Sequence, residues 1–469
     1  MILNQARESF LDVLGDDINV GMLGGGKKDY DADFLFSTVQ TISKDDVIEK
    51  FEPDYFDYIV VDETHKAGAN TYRKIIDYFK PKFMLGMTAS PERTDGYDIY
   101  KTFDNNIAYE IRLQKAMEED LLCPFHYFGI SDLEVDGETI NDNTEFRYLV
   151  SEERVDHIIE KAEFYGHSGD RVKGLIFCGR NDEAKELSEA FNKRGYNTVA
   201  LSGADSEEER ERQVRRLEQD EKEKSLDYIF TVDIFNEGVD IPSVNQVIML
   251  RPTESPIVFV QQLGRGLRKY NDKEYVVVLD FIGNYQNNFM IPIALSGDRT
   301  YNKDNIRKYL REGSRIIPGC STIHFDEISK ARIFKAIDKM TTTKKMLADK
   351  YNQLKYKLGR IPTIVDFYDL GEVDPLLFIE YSKTYDQFVR LVDKDYLVKF
   401  NEKEEKTLEF ISSLIVNGKR IHELLLLKLL FDNEKITESL FREEIESRGE
   451  HYKKVDYISA INVINKQNF

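Results

Sequence analysis

The strongest chemical signal in the chain is Asp62-Glu63-Thr64-His65, set directly behind the apolar run Tyr58 to Val61. Such a run reads as a buried strand, and carboxylates at its carboxyl end stand where parallel α/β sheets bind ligands. That position suits a hydrated Mg²⁺ and a water molecule. In a nucleotide site Asp62 would hold the metal through water, and Glu63 would orient and deprotonate the attacking water, because phosphoryl transfer depends on positioning and charge neutralisation. The same residues also fit a polar helix cap behind a strand. His65 alone fits a satisfied histidine in that cap.

A second group runs from Gln261 to Arg268, on a helix expected to open at Ser255-Pro256 with proline at its first position. Arg265 and Arg268 stand three apart, so a helix would project both from nearly one face. Two fixed guanidinium forks can reach a triphosphate, and an arginine finger supplies roughly 10³ to 10⁵ in rate. A surface helix with basic residues explains the arginines but leaves Gly264 and Gln261 without a reason.

The elements that must carry these residues follow an α/β rhythm through the first 290 residues: short apolar runs alternate with helical patterns. Two parallel sheets are expected. The first takes in Phe34 to Thr38, Tyr58 to Val61 and Phe83 to Met87. The second takes in Gly174 to Cys178, Thr198 to Leu201, Tyr228 to Thr231, Gln246 to Leu250 and Tyr275 to Leu279. Ser206-Glu-Glu-Glu209 predicts a capping box. Beyond about residue 300 the pattern turns mainly helical, with helices over Thr407 to Val416 and Ile421 to Phe431 around an Asn417-Gly418 turn. The predicted domains are 1–130, a connection over 131–150, a second α/β domain over 151–295 and an α-rich region over 296–469.

The 469 residues allow two or three domains with full-sized cores. No apolar run approaches bilayer length, and the start, with Asn4, Gln5 and Arg7, lacks a signal-peptide stretch, so a cytoplasmic protein without a membrane partner is expected. Cys123, Cys178 and Cys320 are too scattered for a disulfide framework or zinc ribbon. A net charge of −20 argues against nucleic acid at first sight. Its distribution answers the objection: residues 301–469 hold 30 Lys+Arg against 27 Asp+Glu, which leaves −23 on the first 300. Within 301–357 the tally is 14 basic against 6 acidic, interleaved with Tyr301, Tyr309, Tyr351 and Tyr356. That stretch suits a backbone-tracking surface, and by composition equally a solvated helical face.

Taken in order, these residues resemble the motifs of superfamily 2 helicases of the DExH group. Asp62 to His65 resembles motif II. Thr88-Ala89-Ser90 resembles motif III, and Ile176-Phe-Cys178 motif IV. Thr231-Val-Asp233 with Glu237-Gly238-Val239-Asp240 resembles motif V, and Gln261 to Arg268 motif VI. Thr38-Val-Gln40-Thr41 looks like the motif Ib region. The resemblance implies two RecA-like domains with ATP and Mg²⁺ between them. Asp62, Glu63 and His65 would lie on one side, with His65 as a nucleotide-coupling residue rather than a satisfied cap histidine, and Gln261, Arg265, Arg268, Gly238 and Asp240 on the other. Thr88 and Ser90 would link hydrolysis to closure, and Thr38, Gln40, Thr41 and Thr231 would grip the backbone of DNA, with RNA as the alternative. Gly283-Asn284-Tyr285 and Leu358-Gly359-Arg360-Ile361-Pro362 look like a bacterial restriction-associated family. In that family a nuclease domain often precedes the motor.

A motor of this class holds phosphates with G-x-x-x-x-G-K-[ST]. The nearest match, Gly21 to Lys28, has Lys28 in place of the magnesium-binding hydroxyl and leads toward the strand at Phe34 rather than a helix. We therefore reject it. The first residues resemble the helix after motif Ia, so the chain is expected to begin partway through the first RecA-like domain, with the adenine-recognition segment and the phosphate loop upstream, either lost by truncation or supplied by another polypeptide. A first sheet lacking that strand should leave apolar neighbours and edges uncovered. Two functions fit: part of an ATP-dependent DNA motor in restriction or defence, inactive alone, or a non-enzymatic nucleic-acid-binding or assembly module.

Overall fold

Strands covered on both faces read as unbroken apolar runs, and the longest stack of them builds the larger part of the molecule. A computed structural model describes residues 2–89, 97–135, 138–141, 144–221, 224–232, 241–253, 255–313, 317, 319–416, 420–433 and 435–465. It divides into two units, Met1–Thr341 and Thr342–Phe469. The first is α/β and the second α-rich, as the sequence pattern predicts. No helix among the described residues is long and apolar enough to cross a membrane.

In the first unit the strands in chain order are β1 (Val20–Gly24), β2 (Lys27–Lys28), β3 (Phe34–Ser37), β4 (Tyr58–Val61), β5 (Phe83–Gly86), β6 (Phe125–Ser131), β7 (Glu134–Val135) and β8 (Glu138–Thr139). They continue with β9 (Gly174–Phe177), β10 (Thr198–Ala200), β11 (Tyr228–Thr231), β12 (Gln246–Met249), β13 (Val276–Ile282) and β14 (Thr322–Phe325). Seven form one sheet in the order β10-β11-β9-β12-β13-β6-β14, parallel throughout. Every residue of β9, β11, β12 and β13 is buried. Alternate side chains feed two cores: Leu175, Phe177, Val247 and Met249 enter one, and Ile176, Phe230, Ile248 and Leu279 the other.

This sheet reaches outside the limits expected for the second domain. β6 precedes the 131–150 connection, yet its seven residues pair one for one with Val276–Ile282, and Phe125 and Tyr127 are fully buried beneath it. β14 lies beyond residue 295 and pairs with β6 on its other side. The Ser206 hydroxyl caps its helix by accepting from the Glu209 amide at 3.2 Å. The Glu209 carboxylate does not close the expected box; it accepts from Gln213 at 2.6 Å and pairs with Arg212 instead.

The first sheet is divided. β1, β2 and β3 form one piece, with β1 and β3 parallel, while β4 and β5 form a separate parallel pair. Helices α1 (Ile2–Leu14), α2 (Val39–Ile42), α3 (Asp45–Ile48) and α4 (Asn70–Tyr78) surround them. Phe10 of α1 packs edge-on against Phe34 and Phe36.

The second unit stacks short helices over two small cores. One centres on Leu347, Tyr351, Phe367, Phe378 and Phe388, the other on Leu426, Leu429, Phe441 and Ile445. Capping boxes at Thr363 and Asn401 start two of these helices. The helix expected over 407–416 is α-helical over Glu402–Phe410 and continues as a π-turn over Ile411–Val416. The predicted turn at 417–418 lies outside the described residues.

Candidate active site

β4 delivers Asp62 and Glu63 beyond its carboxyl end, where the backbone turns sharply. Glu63 adopts left-handed φ 51° and ψ 42°, and Thr64–Lys66 follows as a single 3₁₀ turn. A non-glycine residue in that region is strained, and such strain concentrates at functional sites. Asp62 is exposed, and its Oδ1 accepts from the Glu63 amide at 2.9 Å.

His65 ties this corner to the neighbouring strand. Its Nδ1 lies 3.1 Å from Glu63 Oε2 and 3.2 Å from Thr88 Oγ1. The buried Thr64 reinforces the link, donating its hydroxyl to the Met87 carbonyl at 2.8 Å, while the Met87 amide donates to the Val61 carbonyl at 2.9 Å. Gly86 fits only because it lacks a side chain: a Cβ there would fall 2.5 Å from Phe103 and 2.9 Å from Thr64. Glu63, His65 and Thr88 therefore form one connected group across β4 and β5. Ser90 lies outside the described residues.

The exposed Asp62 fits a cation that keeps most of its water. Among the described residues no group of three His, Cys, Asp or Glu could hold a metal ion. Mg²⁺ here would thus take one carboxylate, waters and substrate phosphates, its usual mode at phosphoryl sites.

Thr38 caps α2, its hydroxyl accepting from the Thr41 amide at 3.2 Å and donating to Thr41 Oγ1 at 2.8 Å; Gln40 is exposed on that turn. Gly24 stands against Thr38, and a Cβ on it would meet Thr38 Cγ2 at 3.5 Å. Gly25 and Gly26, both at positive φ, make the two-residue turn between β1 and β2. The glycine-rich segment is therefore a hairpin tip, with a strand on each side and no helix behind it.

Two expected features change. The helix Pro256–Gly266 ends before Arg268, so Arg265 and Arg268 do not share a helical face. Gly264 and Gly266 weaken the helix there. Leu267 drops into the core, its carbonyl taken by the Cys123 amide at 2.7 Å. Gln261 and Arg265 are half-buried on the helix, and Arg268 is exposed beyond it. Thr231, expected to grip nucleic acid, is fully buried at the end of β11, so its hydroxyl does not reach a backbone phosphate in this conformation. Gly238 and Asp240 lie outside the described residues.

The structure adds residues that spacing concealed. Arg251 follows β12, and its Nη1 donates to the Val232 carbonyl at 3.2 Å, placing a guanidinium beside the strand ends of β9, β11 and β12. A cation directly after an apolar strand was the available signal. Behind this edge lies a fully buried Arg154. It donates to Asp132 at 2.8 to 3.2 Å, to the Leu149 carbonyl at 2.8 Å and to Glu183 at 3.1 Å. Glu183 in turn accepts the Gly179 amide at 2.9 Å and so fixes the loop after β9. Burial works against the Arg154 charge, yet Asp132 and Glu183 hold its pKa above its ordinary value. Burial raises the Glu183 carboxyl, with Arg154 opposing it. Gaps of 22 and 29 residues between these partners carry no sequence signal.

Residues 1–93 match the family described as type III restriction enzyme, res subunit, residues 153–270 match the helicase conserved C-terminal domain, and residues 347–469 match a domain of unknown function. A type I restriction enzyme EcoAI endonuclease subunit of Escherichia coli is 26% identical over 267 residues, covering 49% of this chain and 32% of that protein. A 51.5 kDa protein of Lactococcus phage (isolate 7-9) is 24% identical, covering 48% of this chain and 49% of its own. The solved ATP-dependent type ISP restriction-modification enzyme LlaBIII, bound to DNA, aligns over 92% of this chain and 35% of its own at 15% identity, with a TM-score of 0.44. The chain spans roughly a third to a half of the length of the curated relatives it matches.

Proposed function

Since the chain belongs to the restriction-type superfamily 2 helicases, we propose that it forms part of an ATP-dependent DNA helicase or translocase serving restriction or defence. The observation that carries this reading is the contact group Glu63–His65–Thr88, which couples the carboxylate suited to orient water with the end of the next strand. Asp62 would hold Mg²⁺ through water, and bound Mg²⁺ would neutralise phosphate charge. Glu63 would position the attacking water, and His65 would relay its orientation to Thr88. Arg265 and Arg268 act on the nucleotide from the other half, with Gly238 and Asp240. Thr38, Gln40 and Thr41 present a capped helix turn and an adjacent glycine hairpin to nucleic-acid backbone.

No G-x-x-x-x-G-K-[ST] occurs in the 469 residues, so the isolated chain is expected not to turn over ATP. A radiolabelled ATP hydrolysis assay with and without duplex DNA checks this, and robust turnover would defeat it. Mobility-shift titrations with duplex DNA and with RNA of the same sequence identify the nucleic acid; binding to neither removes the motor reading.

The 301–357 stretch contributes less free charge than its tally suggests. Arg307 pairs with Asp304 and Asp338 at 3.0 and 2.7 Å, and Lys330 with Glu327 at 2.8 Å. In the second unit Lys355 pairs with Asp393 at 2.8 Å and Asp395 at 3.1 Å.

A further inference from the structure

Carboxylates hold Arg307 and Lys330, but other cations beside them stand free. The helices Lys303–Glu312 and Glu327–Lys339 together carry eight Lys and Arg against four Asp and Glu. They pack side by side over one core, which buries Ile306 and Leu310 of the first and Ile333 and Ile337 of the second. They run antiparallel. Arg307 donates to Asp338 at 2.7 Å, joining the first half of one helix to the end of the other. At the opposite end, a Cβ on Gly313, behind the first helix, would fall 3.5 Å from the Ile323 carbonyl, just ahead of the second.

The Arg307–Asp338 contact fixes which side chains line the seam between the helices. Lys303 and Arg311 stand four residues to either side of Arg307, and Lys335 stands three before Asp338, so they share the seam side of their helices. Lys303 Nζ lies 3.5 Å from the Asp338 carbonyl in the same seam, and Lys339 adjoins it at the end of the second helix. Arg311, Lys335 and Lys339 are exposed and have no hydrogen-bond or ion-pair partner among the described residues. Five cations thus flank the one carboxylate of Asp338, which Arg307 already neutralises. The acids of the first helix lie at its flank, Asp304 on Arg307 at 3.0 Å and Glu312 at 3.9 Å from Lys308.

The row from Lys303 to Arg311 is about 12 Å long, the axial length of about three to four phosphates on one strand of a duplex. The first 300 residues carry −23, so most of the molecule repels a polyanion and a local cationic seam is where one can approach. Protein partners are anchored instead by apolar and aromatic side chains at the centre of an interface. Among the described residues of the two helices, Ile328 is the one exposed large apolar side chain.

We propose that this seam binds the phosphate backbone of a nucleic acid, a grip separate from Thr38, Gln40 and Thr41; it rests on the nucleic-acid reading given above. Fluorescence anisotropy of labelled duplex and single-stranded DNA, titrated with the full chain across a salt series, tests it. Arg311→Glu with Lys335→Glu should weaken binding about ten-fold or more at low salt and lower the slope of log affinity against log salt by about two. Lys101→Glu with Lys193→Glu, the same charge change on exposed lysines elsewhere, should leave that slope as it is. Arg311→Gln with Lys335→Gln should repeat the loss of slope without adding negative charge, with circular dichroism confirming that each variant folds.

Three results would overturn the seam: an unchanged slope in both Arg311 and Lys335 variants, an equal loss in the Lys101 and Lys193 pair, or tighter binding of polyglutamate than of DNA of equal charge, which marks an acidic protein segment as the ligand. If the unaltered chain binds DNA and the seam variants bind it equally well, the seam alone is removed. If the unaltered chain binds no nucleic acid, the motor reading falls and the seam with it.

Discussion

Strands β9 and β4 are alike on paper: each is four apolar residues in a parallel pairing, followed by residues with chemistry to perform. In the structure all four residues of Gly174–Phe177 are buried, whereas in Tyr58–Val61 only Val61 is. The loop after β9 is pinned by Glu183, itself held by Arg154. The loop after β4 is held by His65 and Thr64 across a two-stranded piece with one open face. An apolar strand states what cover it needs; only its neighbours determine whether that cover is present.

The largest effect should come from the pinned half. Arg154→Met leaves Asp132 and Glu183 buried without their cation and should cost about 3–5 kcal/mol in thermal or urea denaturation. A loss below about 1 kcal/mol would show that the second half is not held by that cluster.

The same half should carry a pH signature. Burial raises the Asp280 carboxyl to about 7, against a hydrogen bond from Tyr127, while an unfolded aspartate titrates near 3.9. The folded protein then keeps a proton that the unfolded chain releases. This contribution to stability is full below about pH 4, declines between about pH 4 and 7 and levels off above, at no more than about 1.4 kcal/mol per pH unit. Asp280→Asn should flatten that slope, as read from urea midpoints across the range.

In the open half, Gly86→Ala drives a methyl into Phe103 and Thr64 and should cost about 1–3 kcal/mol while loosening the His65–Thr88 contact, visible as a change in the His65 imidazole NMR shift. The smallest effect belongs to Val60→Thr on the bare face. It should change stability by less than about 0.5 kcal/mol while lowering binding of a hydrophobic dye. A large destabilisation there would mean that the face is covered and that the two halves do not differ as described.

Much of the site was readable before the fold. The carboxylates behind β4 and the hydroxyl of Thr88 behind β5 each follow from an apolar run and its next residue, a local relation that chain connectivity preserves, whereas the glycine-rich segment was legible only as one that opens no helix, and its hairpin pairing came from the structure. Arg268 was misplaced because helix length depends on what the end packs against: Leu267 is worth more in the core than one further helical turn. Thr231 was misread because exposure at a strand end depends on neighbouring strands. Arg251 carries a local signal, a cation directly after an apolar strand, whereas the Arg154 cluster joins segments distant in sequence and carries none.

What the sequence determined by itself is the order of strands along the chain, their parallel α/β character and the identity of the groups at their carboxyl ends, since periodicity and adjacency are properties of the chain alone. The tertiary structure decided which strands share a sheet. It drew β6 and β14 into the seven-stranded sheet, left β3 and β4 unpaired with each other, and joined Glu63, His65 and Thr88. Those outcomes depend on hydrogen bonds and packing between residues far apart in the chain, which no local pattern records.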